Sequence, residues 1–117
     1  MARGGPGMSA AVCAGGAIYV AGQVATDPDG GLVGEGDCEA QARQCFRNVE
    51  RILAQAGADL ADIVQLTAYL ANPADARAYL SVRSEVFPND PPATTTVVAS
   101  LLDPRFLIEV QAIAVPS

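Results

Sequence analysis

One amphipathic segment does most to limit what this chain can fold into. Seven apolar residues recur at spacings of three and four positions: Ala42, Cys45, Phe46, Val49, Ile52, Leu53 and Ala56. That spacing predicts a helix with one apolar face. Gly57 follows the segment directly and is typical of a helix C-cap. The rest of the chain must therefore be arranged around this first helix.

The segments on either side of that helix have strand character. Residues 10–14 and 17–21 are short apolar runs separated by Gly15-Gly16, which predicts a two-residue hairpin. Residues 26–31 are dense in turn-forming residues and predict a loop. Beyond the helix, residues 63–70 are rich in β-branched and aromatic side chains, which favours a third strand.

A second helix is predicted from Asn72-Pro73 to about Val86. Asn72 supplies an N-cap and Pro73 suits the first turn. Tyr79, Leu80 and Val86 are among its candidate inward residues. Three prolines then prevent the helix from continuing: Pro88, Pro91 and Pro92.

The last third of the chain contains two apolar runs, residues 94–102 and 106–115, joined by Asp103-Pro104-Arg105. This pattern predicts an antiparallel hairpin. In the final strand, side chains alternate between two faces. The first face carries Ile108, Val110, Ala112 and Ala114 and should meet the helices. The second carries Leu107, Glu109, Gln111 and Ile113, and its large apolar groups predict that a partner subunit covers it.

Length and charge place the chain in a broad class. Its 117 residues suit one domain, 1–117, with a single core. The apolar runs are too short to span a bilayer, and the N-terminus does not resemble a secretory signal, so we expect a cytoplasmic protein without a membrane partner. The net charge of −6 argues against a nucleic-acid partner, because phosphate binding needs clustered Lys and Arg.

Several residue types are missing, and their absence excludes whole classes of chemistry. The chain has no His and no Lys, so it cannot form a Ser-His-Asp triad, an imidazole metal site or a Schiff base with a cofactor. We therefore expect no metal and no cofactor. Cys13, Cys38 and Cys45 form no C-x-x-C pair and are predicted to be reduced thiols that act as small core residues.

Several short strings, in this order and at these spacings, resemble the RidA/YjgF family over roughly residues 5–115. The strings are Ala21-Gly22-Gln23 with the Asp-Pro-Asp-Gly-Gly turn after it, Gln41-Ala42-Arg43-Gln44 with Asn48-Val49 and Ala56-Gly57, Asp62-Ile63-Val64, Pro92-Ala93, and residues 108–115. The resemblance implies an α+β, chorismate-mutase-like fold of order β-β-α-β-α-β-β, with two helices packed on one face of a mixed sheet. It also implies a homotrimer that binds small molecules in clefts between subunits. Family members that are enzymes hydrolyse imines and enamines derived from amino acids.

The resemblance also assigns candidate site residues, with one departure. The arginine that grips the substrate carboxylate in deaminase members is replaced here by Thr94 in the string Thr94-Thr95-Thr96. A hydroxyl cannot replace a guanidinium fork, so we expect weak or absent deaminase activity on 2-aminoacrylate. The family tyrosine corresponds to Gly7, and its second-helix asparagine falls near Ser81. These smaller groups predict a roomier, less charged pocket.

Glu109 matches the family carboxylate that handles protons and water, which makes it the candidate general acid or base. The alternative is an ordinary solvated strand glutamate. The three threonines could donate to a carbonyl or oxyanion, or could simply favour a strand. In the predicted hairpin Glu109 lies opposite about Val98, with Thr94 roughly 13 Å further along that strand. Only a cleft between subunits would then bring Glu109 and Thr94 together.

Two functions are consistent with these residues. The first is a RidA-like enzyme that acts on a reactive imine, enamine or related carbonyl intermediate, by hydrolysis or in a specialised biosynthetic step, with Glu109 as acid or base. The second is a non-catalytic trimer that binds a small molecule or has a regulatory role. Arg105 could in principle replace the missing arginine, but its position beside a turn favours a solvated charge.

Overall fold

Two helices lie on one face of a five-stranded mixed sheet in the computed structural model, which describes residues 9–117. The strands are β1 (Ala11–Ala14), β2 (Ala17–Gln23), β3 (Ile63–Leu70), β4 (Ala93–Val98) and β5 (Ile108–Ala114), and the helices are α1 (Cys38–Gln55) and α2 (Ala76–Val86). The strand order across the sheet is β1-β2-β5-β3-β4. The predicted α+β class and the predicted element order are confirmed.

The N-terminal hairpin forms as predicted. β1 and β2 pair antiparallel, with Ala14 opposite Ala17. Gly15 and Gly16 between them have φ angles of +59° and +82°, a combination that glycine adopts without steric cost.

α1 begins at Cys38, four residues before the first apolar residue that predicted it. Asp37 caps its N-terminus, where a carboxylate oxygen accepts from the backbone N–H of Ala40 at 3.1 Å. At the other end Gly57 has a φ of +77°, and its N–H donates to the carbonyl of Ala54. The predicted glycine stop is therefore confirmed.

α2 follows a 3₁₀ turn, Pro73–Asp75, in which Asn72 accepts from the N–H of Ala74 at 2.9 Å. Tyr79 and Val82 are buried in this helix. The prediction that Leu80 points inward was wrong, because Leu80 is 40% exposed. The buried residues of α2 are three positions apart, and Leu80 lies about 100° around the helix from Tyr79, on the exposed side.

The predicted C-terminal hairpin was wrong. β4 pairs parallel to β3, with Leu66 opposite Thr94, and it lies at the edge of the sheet. β5 lies between β2 and β3 and pairs antiparallel to both. The connection from residue 99 to residue 107 carries the chain past β3, and the β3-α2-β4 unit forms the parallel crossover that short strand-helix-strand segments favour.

The predicted alternation is confirmed within β5, but the placement of Leu107 on the outward face was wrong, because Leu107 precedes the strand and packs against the core. Ile108, Val110, Ala112 and Ala114 are buried beneath the helices. On the opposite face Glu109 and Ile113 are half-buried and Gln111 is exposed. We call this opposite face, which also carries Tyr19 and Tyr69, the open face. Among residues 9–117, no helix is both long and apolar enough to cross a membrane.

Candidate functional site

Glu109 lies in the middle of the open face. Its direct neighbour on β3 is Tyr69. On the β2 side the neighbour is Gly22, and the carboxylate of Glu109 lies against that backbone. A half-buried carboxylate on a strand at the centre of the sheet is held in a more defined position than a glutamate on an edge strand.

Gly22 makes room for that carboxylate. A Cβ atom at this position would overlap one carboxylate oxygen of Glu109 and would lie 3.0 Å from its carboxylate carbon. Ala21 and Gly22 also form a β-bulge, because Val20 pairs with Ala112 while Gln23 pairs with Val110. Bulges occur often beside active sites, where they re-aim side chains.

The role of Gly22 was not predicted from the sequence, where it appeared only within the string Ala21-Gly22-Gln23. The side chain of Gln23 stabilises the end of the strand, since its Nε2 donates to the carbonyl of Ala21 at 2.9 Å. A glycine inside a strand was the available signal, because it often marks a bulge or a close approach.

A shallow concavity lies between β3 and β5 on the open face, and Glu109 is not among its lining residues. The hydroxyl of Tyr69 and the Oε1 of Gln111 are joined by a hydrogen bond of 2.9 Å at its edge. The space is about 260 Å³ and is lined by Gln65, Thr67, Tyr69, Gln111, Ala112 and Ile113. Amides and hydroxyls dominate this lining, so the concavity suits a small polar molecule more than an apolar one.

The three threonines do not share one face. Thr94 and Thr96 are on the helix side of β4, as the buried residues Leu66 and Ala68 opposite them show. Thr95 is opposite Thr67 and faces the other way, like Glu109. All three are exposed because β4 is an edge strand.

Thr94 and Glu109 are therefore separated in a way that the sequence did not predict. The register that placed Glu109 opposite Val98 was wrong, because β3 lies between β4 and β5. Thr94 and Glu109 face opposite sides of the sheet, and one small ligand cannot reach both within a single subunit. The inference that one subunit cannot bring Thr94 and Glu109 to the same ligand still holds, but the reason is that they lie on opposite faces of the sheet.

An arginine lies beside Thr94 even though none occupies that position. Arg83 on α2 donates from Nη1 to the Oγ1 of Thr94 at 3.3 Å. The same guanidinium lies over the ring of Tyr79, with its carbon 5.5 Å from the ring centroid. Sequence reasoning missed Arg83. The sequence feature that could have identified Arg83 is its spacing of four residues from Tyr79, which puts both side chains on one face of the helix.

The hydroxyl of Tyr79 is buried and has no hydrogen-bond partner among residues 9–117. Burial raises the pKa of this phenol above its usual value, and the nearby Arg83 and Thr96 side chains offset part of the rise. The phenol therefore stays protonated at neutral pH and keeps a hydrogen to donate.

Arg105 is engaged elsewhere. Its Nε and Nη2 atoms donate to the two carboxylate oxygens of Asp103 at 3.1 and 2.8 Å. These contacts lower the pKa of Asp103 to about 2. The interpretation of Arg105 as an exposed turn charge agrees with this pairing. Ser81 is exposed on α2, and Gly7 lies outside the described residues.

Gln41 is a positioning residue that the sequence did not reveal as such. Its side chain is fully buried on α1, where Nε2 donates to the carbonyls of Gly34 and Arg105 at 3.1 and 3.0 Å. Its Oε1 accepts from the N–H of Leu107 at 2.9 Å. Gln41 thereby fixes the residues just before β5, and so the position of Glu109 along its strand.

The cysteines differ in their surroundings. Cys38 and Cys45 are buried, and burial raises the pKa of both thiols, that of Cys38 to about 12. The core prediction was wrong for Cys13, which is exposed because the helices do not cover the edge strand β1. Within residues 9–117, no cluster of three His, Cys, Asp or Glu side chains could hold a metal ion.

Comparison with known proteins identifies the family. The family model described as Endoribonuclease L-PSP matches residues 6–116. A RutC family protein of Pyrococcus abyssi is 40% identical over 106 residues, which cover 91% of this chain and 84% of that protein. The chain belongs to the RidA/YjgF family.

Other RidA/YjgF relatives agree with this assignment. The 3-aminoacrylate deaminase RutC of Acinetobacter baylyi is 34% identical over 97 residues, which cover 83% of this chain and 77% of that enzyme. The crystal structure of yeast Mmf1 superposes with a TM-score of 0.92 at 30% identity, covering 98% of this chain and 91% of the yeast chain. The chorismate-mutase-like α+β fold implied by the sequence strings is thus confirmed.

Proposed function

We propose that this RidA/YjgF protein is an enzyme that acts on a reactive imine, enamine or related carbonyl intermediate, with Glu109 as its acid and base. The observation that carries the proposal is the placement of Glu109. Its side chain is half-buried on the central strand, and its carboxylate lies against a backbone that Gly22 keeps clear. Its partner on β3 is Tyr69, which lines the concavity on that side of the strand. A solvated strand glutamate would not need a glycine on its neighbour.

Hydrolysis of an imine needs one group that both takes and gives a proton. In the proposed step, the Glu109 carboxylate takes a proton from water as the water oxygen bonds to the imine carbon. The protonated Glu109 gives that proton to the nitrogen, which forms a carbinolamine. The Glu109 carboxylate then takes the proton of the new hydroxyl group and passes it to the nitrogen as the carbon–nitrogen bond breaks. The products are a carbonyl compound and ammonia. An enamine first gains a proton at carbon and loses one from nitrogen, which converts it to the corresponding imine.

The site is proposed to be completed by a neighbouring subunit in a homotrimer. Tyr19 on the open face is 48% exposed, and the whole of β4 forms an exposed edge. Such groups favour a covering partner. A cleft between subunits would let the Thr94 side of one subunit approach Glu109 of the next, which a single subunit does not allow. Ser81 and Gly7 remain proposed lining positions.

The proposed reaction needs no metal or cofactor, and the proposed location is cytoplasmic. The ribonuclease description of the family is not extended to this chain. A net charge of −6 disfavours binding to an RNA backbone, and the chain has no histidine for general acid-base cleavage.

The replacement of arginine by Thr94 shapes the proposed substrate. A hydrogen bond from a charged donor is worth about 1.5 to 3 kcal/mol, and Thr94 cannot supply it. We expect turnover of 2-aminoacrylate roughly 10 to 100-fold below that of a relative with arginine at this position. The favoured substrate is bulkier than a small amino-acid imine, or is bound less tightly through its carboxylate.

Glu109→Gln tests this function. Ammonia release is measured from imines and enamines generated in situ, after hits are found by thermal shift against imines, enamines, keto acids and neutral carbonyl compounds. Glutamine keeps the size of the side chain but cannot exchange a proton, so turnover should fall about 100-fold or more. The matched control is Glu50→Gln on the exposed side of α1, which should not change turnover. Full activity in Glu109→Gln would remove the proton-transfer role.

The alternative is a non-catalytic trimer that binds a small molecule, and the presence of Thr94 in place of arginine favours it. In that case Glu109→Gln would change ligand affinity modestly, and no compound of the panel would release ammonia faster with the protein than without it.

A further inference from the structure

We propose that Arg83, Thr94 and the hydroxyl of Tyr79 form a binding site for a carboxylate group on the helix side of β4. The proposal rests on the proposed function for its ligand, which would be the carboxylate end of a reactive imine or of the keto acid formed from it. In this proposal the residue that binds the negative charge is Arg83 on α2.

Arg83 is placed like a binding residue because its charge is fixed and unneutralised. The guanidinium is held over the Tyr79 ring at 5.5 Å and against Thr94 at 3.3 Å. Within the part of the chain that the structure describes, no carboxylate lies within ion-pair distance of it. Arg43 and Arg105 are paired with carboxylates, whereas Arg47, Arg51 and Arg77 also lack such a pair within residues 9–117. The feature that distinguishes Arg83 is therefore its contact with both Tyr79 and Thr94.

The group has more hydrogen-bond donors than acceptors. Arg83 has five N–H donors and no acceptor, and Thr94 accepts one of them. Because the Thr94 oxygen accepts, its own hydrogen is free to donate. The buried hydroxyl of Tyr79 also lacks a partner among residues 9–117, and it lies beside Arg83 and Thr96. This hydroxyl is fully buried, so an acceptor oxygen can reach it only when a neighbouring side chain moves. Because a buried hydroxyl without a partner is costly, that contact would then be favourable.

One guanidinium and two hydroxyls suit a carboxylate better than a larger, more highly charged anion. The two carboxylate oxygens can divide between the planar N–H groups of Arg83 and the neighbouring hydroxyls. The total charge added by the site is one, which matches a monoanion. This contact differs from a strand arginine at position 94, because the donor approaches from the helix, across the Tyr79 ring.

The test is an NMR titration of the full chain with pyruvate, and with pyruvamide as its uncharged counterpart. The native protein should bind pyruvate in preference to pyruvamide, and backbone shifts should map to α2 and β4. Arg83→Gln should weaken pyruvate binding about 10-fold or more and abolish the preference. Arg77→Gln is the matched control, because Arg77 is exposed on the same helix and the change removes the same charge.

Two further variants separate binding from structure. Arg83→Lys keeps the positive charge but loses the planar guanidinium that can bind a carboxylate through two N–H groups. The affinity of this variant for pyruvate should therefore fall between those of the native protein and Arg83→Gln. Tyr79→Phe removes the unpartnered hydroxyl, so its melting temperature should stay level or rise while pyruvate affinity falls severalfold. A purely structural role for Tyr79 would leave pyruvate affinity unchanged and would exclude its hydroxyl from the site.

The proposal is overturned if the native protein shows no preference for pyruvate, or if Arg77→Gln weakens pyruvate binding as much as Arg83→Gln does. Failure of the enzyme proposal gives a different result. If neither the native protein nor any variant releases ammonia, but pyruvate binding depends on Arg83, the carboxylate site is supported and the enzyme proposal is not. If turnover depends on Glu109, but Arg83→Gln does not change pyruvate binding, the enzyme proposal is supported and the carboxylate site is not.

Discussion

Polar side chains on the two faces of the sheet differ in their burial and in their hydrogen-bond partners. On the helix side, Gln41, Gln44 and Asn48 are buried on α1. The amides of Gln44 and Asn48 bond to each other, and those of Gln41 and Asn48 donate to backbone carbonyls of the loops. On the open face, Glu109 is half-buried, and a polar concavity lies between its strand and β3. Burial alone therefore does not identify a functional polar group. The buried amides are occupied by hydrogen bonds within the fold, whereas polar groups on the open face can still contact a ligand.

Two glutamines offer the strongest test of this contrast. Gln41→Ala should lower the free energy of unfolding by about 2 to 3 kcal/mol, because it removes three part-buried hydrogen bonds, to the Leu107 N–H and to the carbonyls of Gly34 and Arg105. Gln111→Ala, on the open face, loses one exposed hydrogen bond to Tyr69 and should cost less than about 1 kcal/mol. Urea unfolding followed by circular dichroism gives both values. Equal losses would break the contrast between the faces.

Gly22→Ala tests the open face from the backbone side. The added methyl group would push aside the Glu109 carboxylate, which is the flexible end of its side chain, so the melting temperature should change little. Turnover of a substrate found in the ammonia assay should fall about 10-fold, because a displaced carboxylate transfers protons poorly. Ala21→Ser, on the same bulge, is the control. Unchanged turnover in Gly22→Ala would show that the position of the carboxylate is not critical.

The open face should also decide how the chain assembles. Light scattering at micromolar concentration is expected to give three times the mass of one chain. Ile113→Glu places a charge on the open face and should lower that mass, whereas Ala54→Glu on the exposed side of α1 should not. A native monomer would remove the proposed cleft and leave Glu109 without a partner surface.

Local patterns predicted most of the elements. The spacing of apolar residues located α1, the Asn72-Pro73 start and the later prolines located α2, and Gly15-Gly16 located the hairpin. The alternation within β5 assigned each of its residues to a face. These features depend on neighbours within a few positions, which the sequence displays directly. The first turn of α1 was not identified, although Cys38 is buried four positions before Ala42 on the same helix face.

The site was only partly predictable. Glu109 and Thr94 were found through short strings of residues, but Arg83 and Gly22 matter only through partners distant in sequence. Arg83 meets Thr94 because α2 packs beside β4, and Gly22 meets Glu109 because β5 inserts between β2 and β3. Neither neighbour relation has a signal within a short window.

The sequence by itself determined the elements, the faces of β5, the family resemblance and the chemistry excluded by the lack of His and Lys. Only the tertiary structure decided the strand order, and with it which side chains meet. An apolar strand with alternating faces pairs equally well with several partners, because backbone hydrogen bonds carry no sequence code. The choice of partner depends on the crossover through α2 and on the burial of β5 beneath α1. That choice placed Thr94 and Glu109 on opposite faces of one sheet.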